Sequence, residues 1–572
     1  MSYEFAAAWH DISSREMYTR VCHTAKQLQN WGIGKGDRVA LIAENRFEWA
    51  IVDWACLAIG AVDVPIYPTL TAEQSSFILK NSGARAVFLS TKKQLEKILS
   101  IRTGTQIEHV VIMDDLDREG VTRMSSIMRP DEPVQRDAQF DAVARFIKPD
   151  DLATIIYTSG TTGVPKGVML THGNLASNLE QTSPAFGWEA GRVSLSFLPL
   201  SHVTARHLDY LCFLRGVTVA YCSSFDELPA KLQQTRPHVF VAVPRVYEKV
   251  RQEVERRASS GLKKPVYEWT LTVGQKHREQ ILRGEIPSDW QWKIANKIVY
   301  QAIYRGFGGR VEMFLSGGAP LGVDLAQWYA DMGICIYEGY GLTETSPVIA
   351  VNEPRASKIG SVGKPLPNLE CRIAADGELL VRGPSIFKGY WQNPGETANA
   401  FEGEWFKTGD IGNIDADGFL SITDRKKDLI KTSGGKFVAP QPIENKLKMS
   451  PLIAHVALVG NSRKFISAVI CPNFVVLERW AGEQGIEFRS RAELVRNPKV
   501  IAAYHEIVDD VNANLAQFET VKKLLIVPDE FTVDAGEITP TLKLRRRVIE
   551  QKYKERIDSL YAETAPLSLH GV

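Results

Sequence analysis

Short, almost wholly apolar runs separated by longer stretches of mixed polarity fill the first two thirds of the chain. Residues 38–43, 84–89, 152–157 and 239–243 are too brief for helices and read as buried strands. Pro244 stops the last of them, because proline cannot donate to a central ladder. From 245 to 305, Lys, Arg, Glu and Gln punctuate the apolar positions and predict mostly helix. Past about residue 360 the texture changes. Gly, Asp and Pro turns now separate short alternating strands at 378–382 and 418–422. After Asp424 and Arg425 the chain becomes basic and glycine-rich, with Lys426, Lys427, Lys431 and Lys436 ahead of strand-like runs at 456–459 and 466–470. The pattern predicts an α/β protein with a domain boundary near residue 425. At 572 residues, and about 100–200 residues per domain, three to five structural units are expected.

Composition narrows the class. The hydrophobic share of 44% and the charged share of 24% are ordinary for a soluble enzyme. The 68 Lys and Arg nearly balance 67 Asp and Glu, so no whole-molecule field draws the chain to nucleic acid. Seven cysteines, an odd number without a CxxC pair, argue against a disulfide framework or zinc site and fit a reducing compartment. The N-terminal stretch carries Glu4 and Asp11 and shows no basic-then-apolar signal. The apolar run at 50–62 is broken by Asp53 and Gly60 and is too short to span a bilayer. The expected location is the cytoplasm, with any membrane contact peripheral at the inner face.

The strongest chemical signal is the segment 157–167, YTSGTTGVPKG, directly after a strand candidate. Gly160, Gly163 and Gly167 let backbone amides approach phosphate oxygens. Thr158, Ser159, Thr161 and Thr162 add hydroxyl donors, and Lys166 adds a point charge. The spacing is not that of a Walker loop: counting from Gly160, Pro165 stands where the second glycine belongs, and Gly167 follows the lysine. Asn174 is expected to cap the next helix.

This segment resembles the phosphate-binding signature of the adenylate-forming superfamily, which includes acyl-CoA synthetases, luciferase and peptide-synthetase adenylation domains. Further segments match in order. LSGGAP at 315–320, with Gly317, Gly318 and Ala319, resembles the family's adenine-abutting element. YEGYGLTET at 337–345 implies that Tyr340 stacks on adenine beside Gly341, that Thr343 contacts the α-phosphate, and that Glu344 helps hold Mg²⁺ with Thr158. A carboxylate beside polyphosphate itself calls for a cation between them. Asp410 in FKTGD resembles the ribose-binding aspartate; an ionised carboxylate only accepts, which suits a diol. Arg425 resembles the ribose-contacting arginine.

The resemblance further implies a hinge at Lys427 and a thioester-step loop at 431–436, where Lys431, Gly434 and Gly435 would meet CoA. It assigns Lys543, in ITPTLK, as the lysine that serves adenylation. The implied fold is a large N-terminal domain of helix-flanked β-sheets, residues 1–425, with a small β-barrel-like subdomain at about 350–424. A small mobile α+β domain, residues 426–572, would follow. Catalysis would fall to Lys543, Lys166, Glu344 and His202, the last beside the substrate carboxylate. ATP, Mg²⁺ and CoA are the implied cofactors and co-substrates.

For the acid, LPLSHVTAR at 198–206, VAVPRVYEK at 241–249 and the run 424–444 resemble bacterial long-chain fatty acid–CoA ligases in particular. Two departures are Gly403-Glu404-Trp405, where many such enzymes carry Asp-Gly-Trp, and Thr204-Ala205, which replaces a bulkier pair near the expected acyl entrance. A medium-chain, aryl or bile-type acid is the alternative substrate, and a nucleotide-binding sensor without chemistry is the alternative class. Arg545, Arg546 and Arg547 read as a solvated or CoA-facing surface. A monomer and a homodimer both remain open, and no nucleic-acid partner is expected.

Overall fold

A computed structural model describes residues 1–5, 8–158, 164–261, 263–539 and 544–562. Among the described residues the strands form sheets of nine, eight, five, three and two members. The eight-stranded sheet centres on Arg38–Ile42, paired in parallel with Val62–Pro65 on one side and Ala86–Leu89 on the other. Crossover helices such as Phe47–Ile59 cover it, so its parallel strands are buried on both faces and read as continuous apolar runs. The run at 50–62 is thus the end of this helix, a left-handed Gly60 cap and a strand start.

The nine-stranded sheet is built the same way. Thr218–Tyr221, Val193–Ser196, Val239–Ala242, Met313–Gly317 and Ile336–Gly341 lie side by side in parallel. Pro244 ends the third of these and opens the helix Pro244–Ala258 at its first turn, where its missing N–H costs nothing.

Both large sheets turn antiparallel toward an edge, the nine-stranded one at both ends. Leu152–Thr158 pairs with Lys166–Thr171, and Ile336–Gly341 pairs with Val348–Val351. The first pair carries Thr158 and Lys166 at its facing strand ends, and the second is joined through the Thr343–Thr345 turn, so the switch in strand direction places these predicted site residues at sheet edges. A five-stranded antiparallel sheet follows, in which the long strand Trp405–Ile414 pairs with Glu378–Arg382 and Leu420–Arg425.

Beyond residue 425 lies another core. Ile453–Val459 and Ile466–Pro472 form an antiparallel pair extended in parallel by Val521–Ile526, packed with the helices Pro440–Leu447 and Pro498–Asn512. Ile549, Tyr553 and Ile557, four residues apart, seat the last two described helices on it. Among the described residues no helix is long and apolar enough to cross a membrane.

Candidate active site

Asp410 sits in the long strand Trp405–Ile414, in register with Arg425 across the hairpin. Its buried carboxylate accepts the Tyr340 hydroxyl at 2.6 Å and lies 3.3 Å from the Arg425 guanidinium. Tyr340 comes from the other sheet, through Ile336–Gly341. Burial, with Asp410 beside it, holds the Tyr340 hydroxyl well above its ordinary range, so the phenol stays a donor. Gly341 is required by space: a Cβ there would meet the Pro347 carbonyl at 1.8 Å.

Glu344 lies one turn further along, in Thr343–Thr345. Its carboxylate accepts the Tyr390 hydroxyl at 3.0 Å, and its carbonyl accepts the Phe387 N–H at 2.8 Å. Burial raises the Glu344 carboxyl above its ordinary value, because its near partner is a neutral phenol. Tyr390 stands opposite Val168, which brings it beside Lys166 on the same sheet edge. The Lys166 ammonium is 5.4 Å from the Tyr390 ring centroid and pairs with Glu396. Glu396 is placed by the short helix Pro394–Asn399, whose N-cap Asn393 accepts its N–H.

Among the described residues no three His, Cys, Asp or Glu side chains cluster as a metal site. Glu344 nonetheless fits one ligand of a divalent cation whose other ligands come with a polyphosphate, because it is a half-buried carboxylate whose near side-chain partner is a neutral phenol.

Residues 2–391 match the model of the AMP-binding enzyme family, and residues 427–565 match that of the AMP-binding enzyme C-terminal domain. The chain belongs to the AMP-binding enzyme family. The long-chain-fatty-acid–CoA ligase FadD15 of Mycobacterium tuberculosis is 37% identical over 97% of this chain and 92% of its own length. The peroxisomal long chain acyl-CoA synthetase 7 of Arabidopsis thaliana is 32% identical over 93% and 79%. The adenylation domain of a carboxylate reductase from Mycobacterium chelonae shares the fold at a TM-score of 0.75 and 24% identity, covering 97% of this chain and 85% of that one. ATP-bound MatB from Rhodopseudomonas palustris does so at 0.71 and 24%, covering 97% and 96%.

In this AMP-binding enzyme the other expected positions fall as follows. Gly317 closes the strand Met313–Gly317, and Gly318 and Ala319 begin the loop after it. Thr158 ends its strand, whereas Ser159, Gly160, Thr161, Thr162, Gly163 and Lys543 lie outside the described residues. His202 caps the helix Val203–Arg215, its Nδ1 accepting the Thr204 N–H at 3.2 Å. Lys427, the expected hinge, is exposed; its neighbour Lys426 clamps Asp376 and Glu378 at 2.5 and 2.7 Å. Lys431 begins a small hairpin with Phe437–Val438, and Gly434 and Gly435 form its tip. The nearest atom to a Cβ at Gly434 would be 4.0 Å away, so the tip is open to solvent.

Two expectations are corrected. Thr171, not Asn174, is the N-cap of the helix His172–Phe186; Asn174 sits three residues on and returns the hydrogen bond, completing a capping box. Arg546 is not solvated: it is buried against Glu444 at 2.6 Å and the Leu458 carbonyl, tying the helix Arg546–Lys552 to its domain core.

Sequence reasoning missed three residues, two beside the candidate site and one in the interior. Tyr390 and Glu396 lie outside every motif, and only strand pairing brings them to Lys166 and Glu344. Arg206 belongs to the segment containing His202, and it is fully buried. It donates to Thr154 at 2.8 Å, Asp53 at 2.6 Å and the Tyr210 hydroxyl at 2.8 Å, with Asp63 at 3.1 Å. Asp53, whose charge broke an apolar run, was the available signal: an acid in the middle of a buried helix demands a cation.

Proposed function

We propose that this enzyme activates a fatty acid, of long chain, with ATP and passes the acyl group to CoA. The observation that carries the proposal is the paired constellation at the two sheet edges. Tyr340, Asp410 and Arg425 offer a ring, an acceptor and a cation at one end, while Lys166, Tyr390 and Glu344 stand at the other. The first set suits adenosine and the second its phosphates. The two curated relatives described above, matched along most of their length, are a ligase and a synthetase of long-chain acids, which supports that substrate class.

In the first half-reaction an oxygen of the acid attacks the α-phosphorus and pyrophosphate leaves. Asp410 accepts from the ribose diol, Tyr340 covers the base with Gly317, Gly318 and Ala319 beneath, and Thr343 donates to the α-phosphate. Lys166 and Lys543 place positive charge where negative charge develops. Glu344, with Thr158, would hold a Mg²⁺ ion, which neutralises phosphate charge when bound. In the second half-reaction the CoA sulfur attacks the acyl carbon of the mixed anhydride and AMP leaves. The division into 1–425 and 426–572 serves this change of task. Rotation at Lys427 withdraws Lys543 and presents Lys431, Gly434 and Gly435 to the pantetheine. His202 orients the acid.

Lys543→Ala tests the division of labour. It should abolish acyl-AMP formation from ATP while sparing acyl-CoA formation from supplied acyl-AMP. Equal loss in both half-reactions would contradict it, and ADP as the sole nucleotide product would sink the reaction assignment.

A further inference from the structure

The helical stretch 290–306 is apolar on two faces. It runs through Trp290–Ala295, a π-helical turn at Asn296–Tyr300, and Gln301–Gly306. Its inner face fixes it to the protein: Trp292, Ala295, Tyr300 and Ile303 are buried in one core with Phe307, and the Tyr300 hydroxyl donates to the Thr270 carbonyl at 2.6 Å. Folding needs no more than that face. Yet Trp290, Ile294 and Ile298 are 66%, 44% and 49% exposed, and Ile286, in the preceding loop, is 83% exposed. These four are large apolar side chains at a strict four-residue spacing.

A four-residue repeat drifts around an α-helix of about 3.6 residues per turn. The wider π turn takes up part of that drift, so Trp290, Ile294 and Ile298 form a stripe instead of a spiral. Solvent-facing apolar stripes are costly to leave in water and mark contact surfaces.

Charge identifies the contact. Lys293 and Lys297 are exposed, each one residue before a stripe isoleucine. Residues 290–306 carry Lys293, Lys297 and Arg305 and no Asp or Glu, and the two acids just before them, Glu285 and Asp289, are engaged by Arg283 and His277. An apolar stripe with an interfacial tryptophan and flanking lysines has the chemistry of a helix lying in the plane of an anionic bilayer. The stripe enters the acyl boundary, and the ammonium groups stay among the phosphates. A protein partner for this face would instead need acidic residues around an apolar groove.

We propose that the outer face of 290–306, with Ile286, is a membrane-docking surface for anionic phospholipid. The strand Met313–Gly317, which ends at the proposed adenine-binding loop, begins seven residues after this helix, so docking sets the site close to the bilayer in the chain. The use of docking, uptake of an acid that partitions into membrane, rests on the function proposed above. The docking itself does not.

Co-sedimentation of the full chain, without substrate, decides the matter. Vesicles of phosphatidylcholine with phosphatidylglycerol should carry the protein down, and pure phosphatidylcholine vesicles should carry much less. Trp290→Ser/Ile294→Ser/Ile298→Ser should lower the bound fraction about tenfold or more, and Lys293→Glu/Lys297→Glu should abolish the preference for anionic vesicles. The second variant alters only exposed charges and carries the test if the first does not fold. Acyl-CoA synthesis from detergent-dispersed acid should stay unchanged in both, which separates failed docking from a failed reaction. No sedimentation with either vesicle, or binding unaffected by both variants, would overturn the proposal. So would self-association that the serine variant abolishes in the absence of any vesicle binding.

Discussion

Asp53 and Asp410 are both buried carboxylates facing a guanidinium, yet their surroundings differ in one respect. Around Asp53 every partner is fixed in the interior. Arg206 is fully buried, Tyr210 bridges the two charges at 2.6 and 2.8 Å, and Trp49 lies 5.3 Å from the guanidinium carbon. Asp63 completes the group, and burial pushes its carboxyl well above the ordinary range despite Arg206. Around Asp410 the partners can be exchanged. Arg425 has 43% of its side chain exposed, so water or a ligand can take its place at the carboxylate. Burial alone therefore does not mark a working carboxylate; a replaceable partner does.

The sharpest way to break this contrast is Arg206→Met. It strands Asp53 and Asp63 without a cation, and breaking a buried pair costs about 3–5 kcal/mol. Chemical denaturation should register that loss, and adding Asp53→Asn should recover part of it, because the stranded charge is then gone. Additive losses in the double variant would mean that the pair is not a coupled unit.

Asp410→Ala should behave in the opposite way. It would remove the two acceptor interactions proposed with the ribose diol, about 3 kcal/mol in all, so kcat/KM for ATP should fall roughly a hundredfold. The unfolding midpoint should barely move, since Arg425 is free to be hydrated. A large fall in stability with little kinetic change would put Asp410 in the same class as Asp53.

Glu338 extends the contrast to a buried carboxylate whose near partner carries no charge. It accepts the Leu321 N–H at 3.0 Å, and burial pushes it up to about 7. Because the folded pKa exceeds the unfolded one, the native state holds this proton more tightly. Its contribution is complete below about pH 4.5 and is lost as pH rises through about 7. The loss should be about 3 kcal/mol. Glu338→Gln should remove that slope; thermal midpoints at pH 5 and pH 8 measure it, and an unchanged slope would refute the assignment.

Much of this was legible in the sequence. Buried parallel strands announce themselves as apolar runs, so 38–42, 86–89, 152–158 and 239–242 were visible at once. Tyr340, Asp410 and Arg425 were visible through ordered motifs. Tyr390 and Glu396 were not, because their place follows from the pairing of Gly389–Tyr390 with Lys166–Thr171, a contact more than two hundred residues apart that no local pattern encodes. Arg546 was misread for a related reason. Three adjacent arginines look solvated, and only the fold reveals that one turns inward to Glu444.

The smallest expected effect lies at Lys166, where the two kinds of partner meet. Glu396 neutralises this lysine as Arg206 neutralises Asp53, but its side chain is 38% exposed, so the pair is one that water and salt can loosen. For Lys166 to face a phosphate, Glu396 must release it, and in the meantime Tyr390 keeps the ammonium over its ring. Glu396→Gln removes the competing anion and leaves the ring. The KM for ATP should therefore drop, by about two- to fivefold, a change worth under about 1 kcal/mol. Raising the ionic strength should shrink the difference between variant and parent, since an exposed pair is screened within about 10 Å at 0.1 M salt. In a Lys166→Ala background the same substitution should do nothing. A rise in KM on Glu396→Gln would reverse the assignment, making Glu396 the group that positions Lys166 and placing this pair with the fixed partners of the interior.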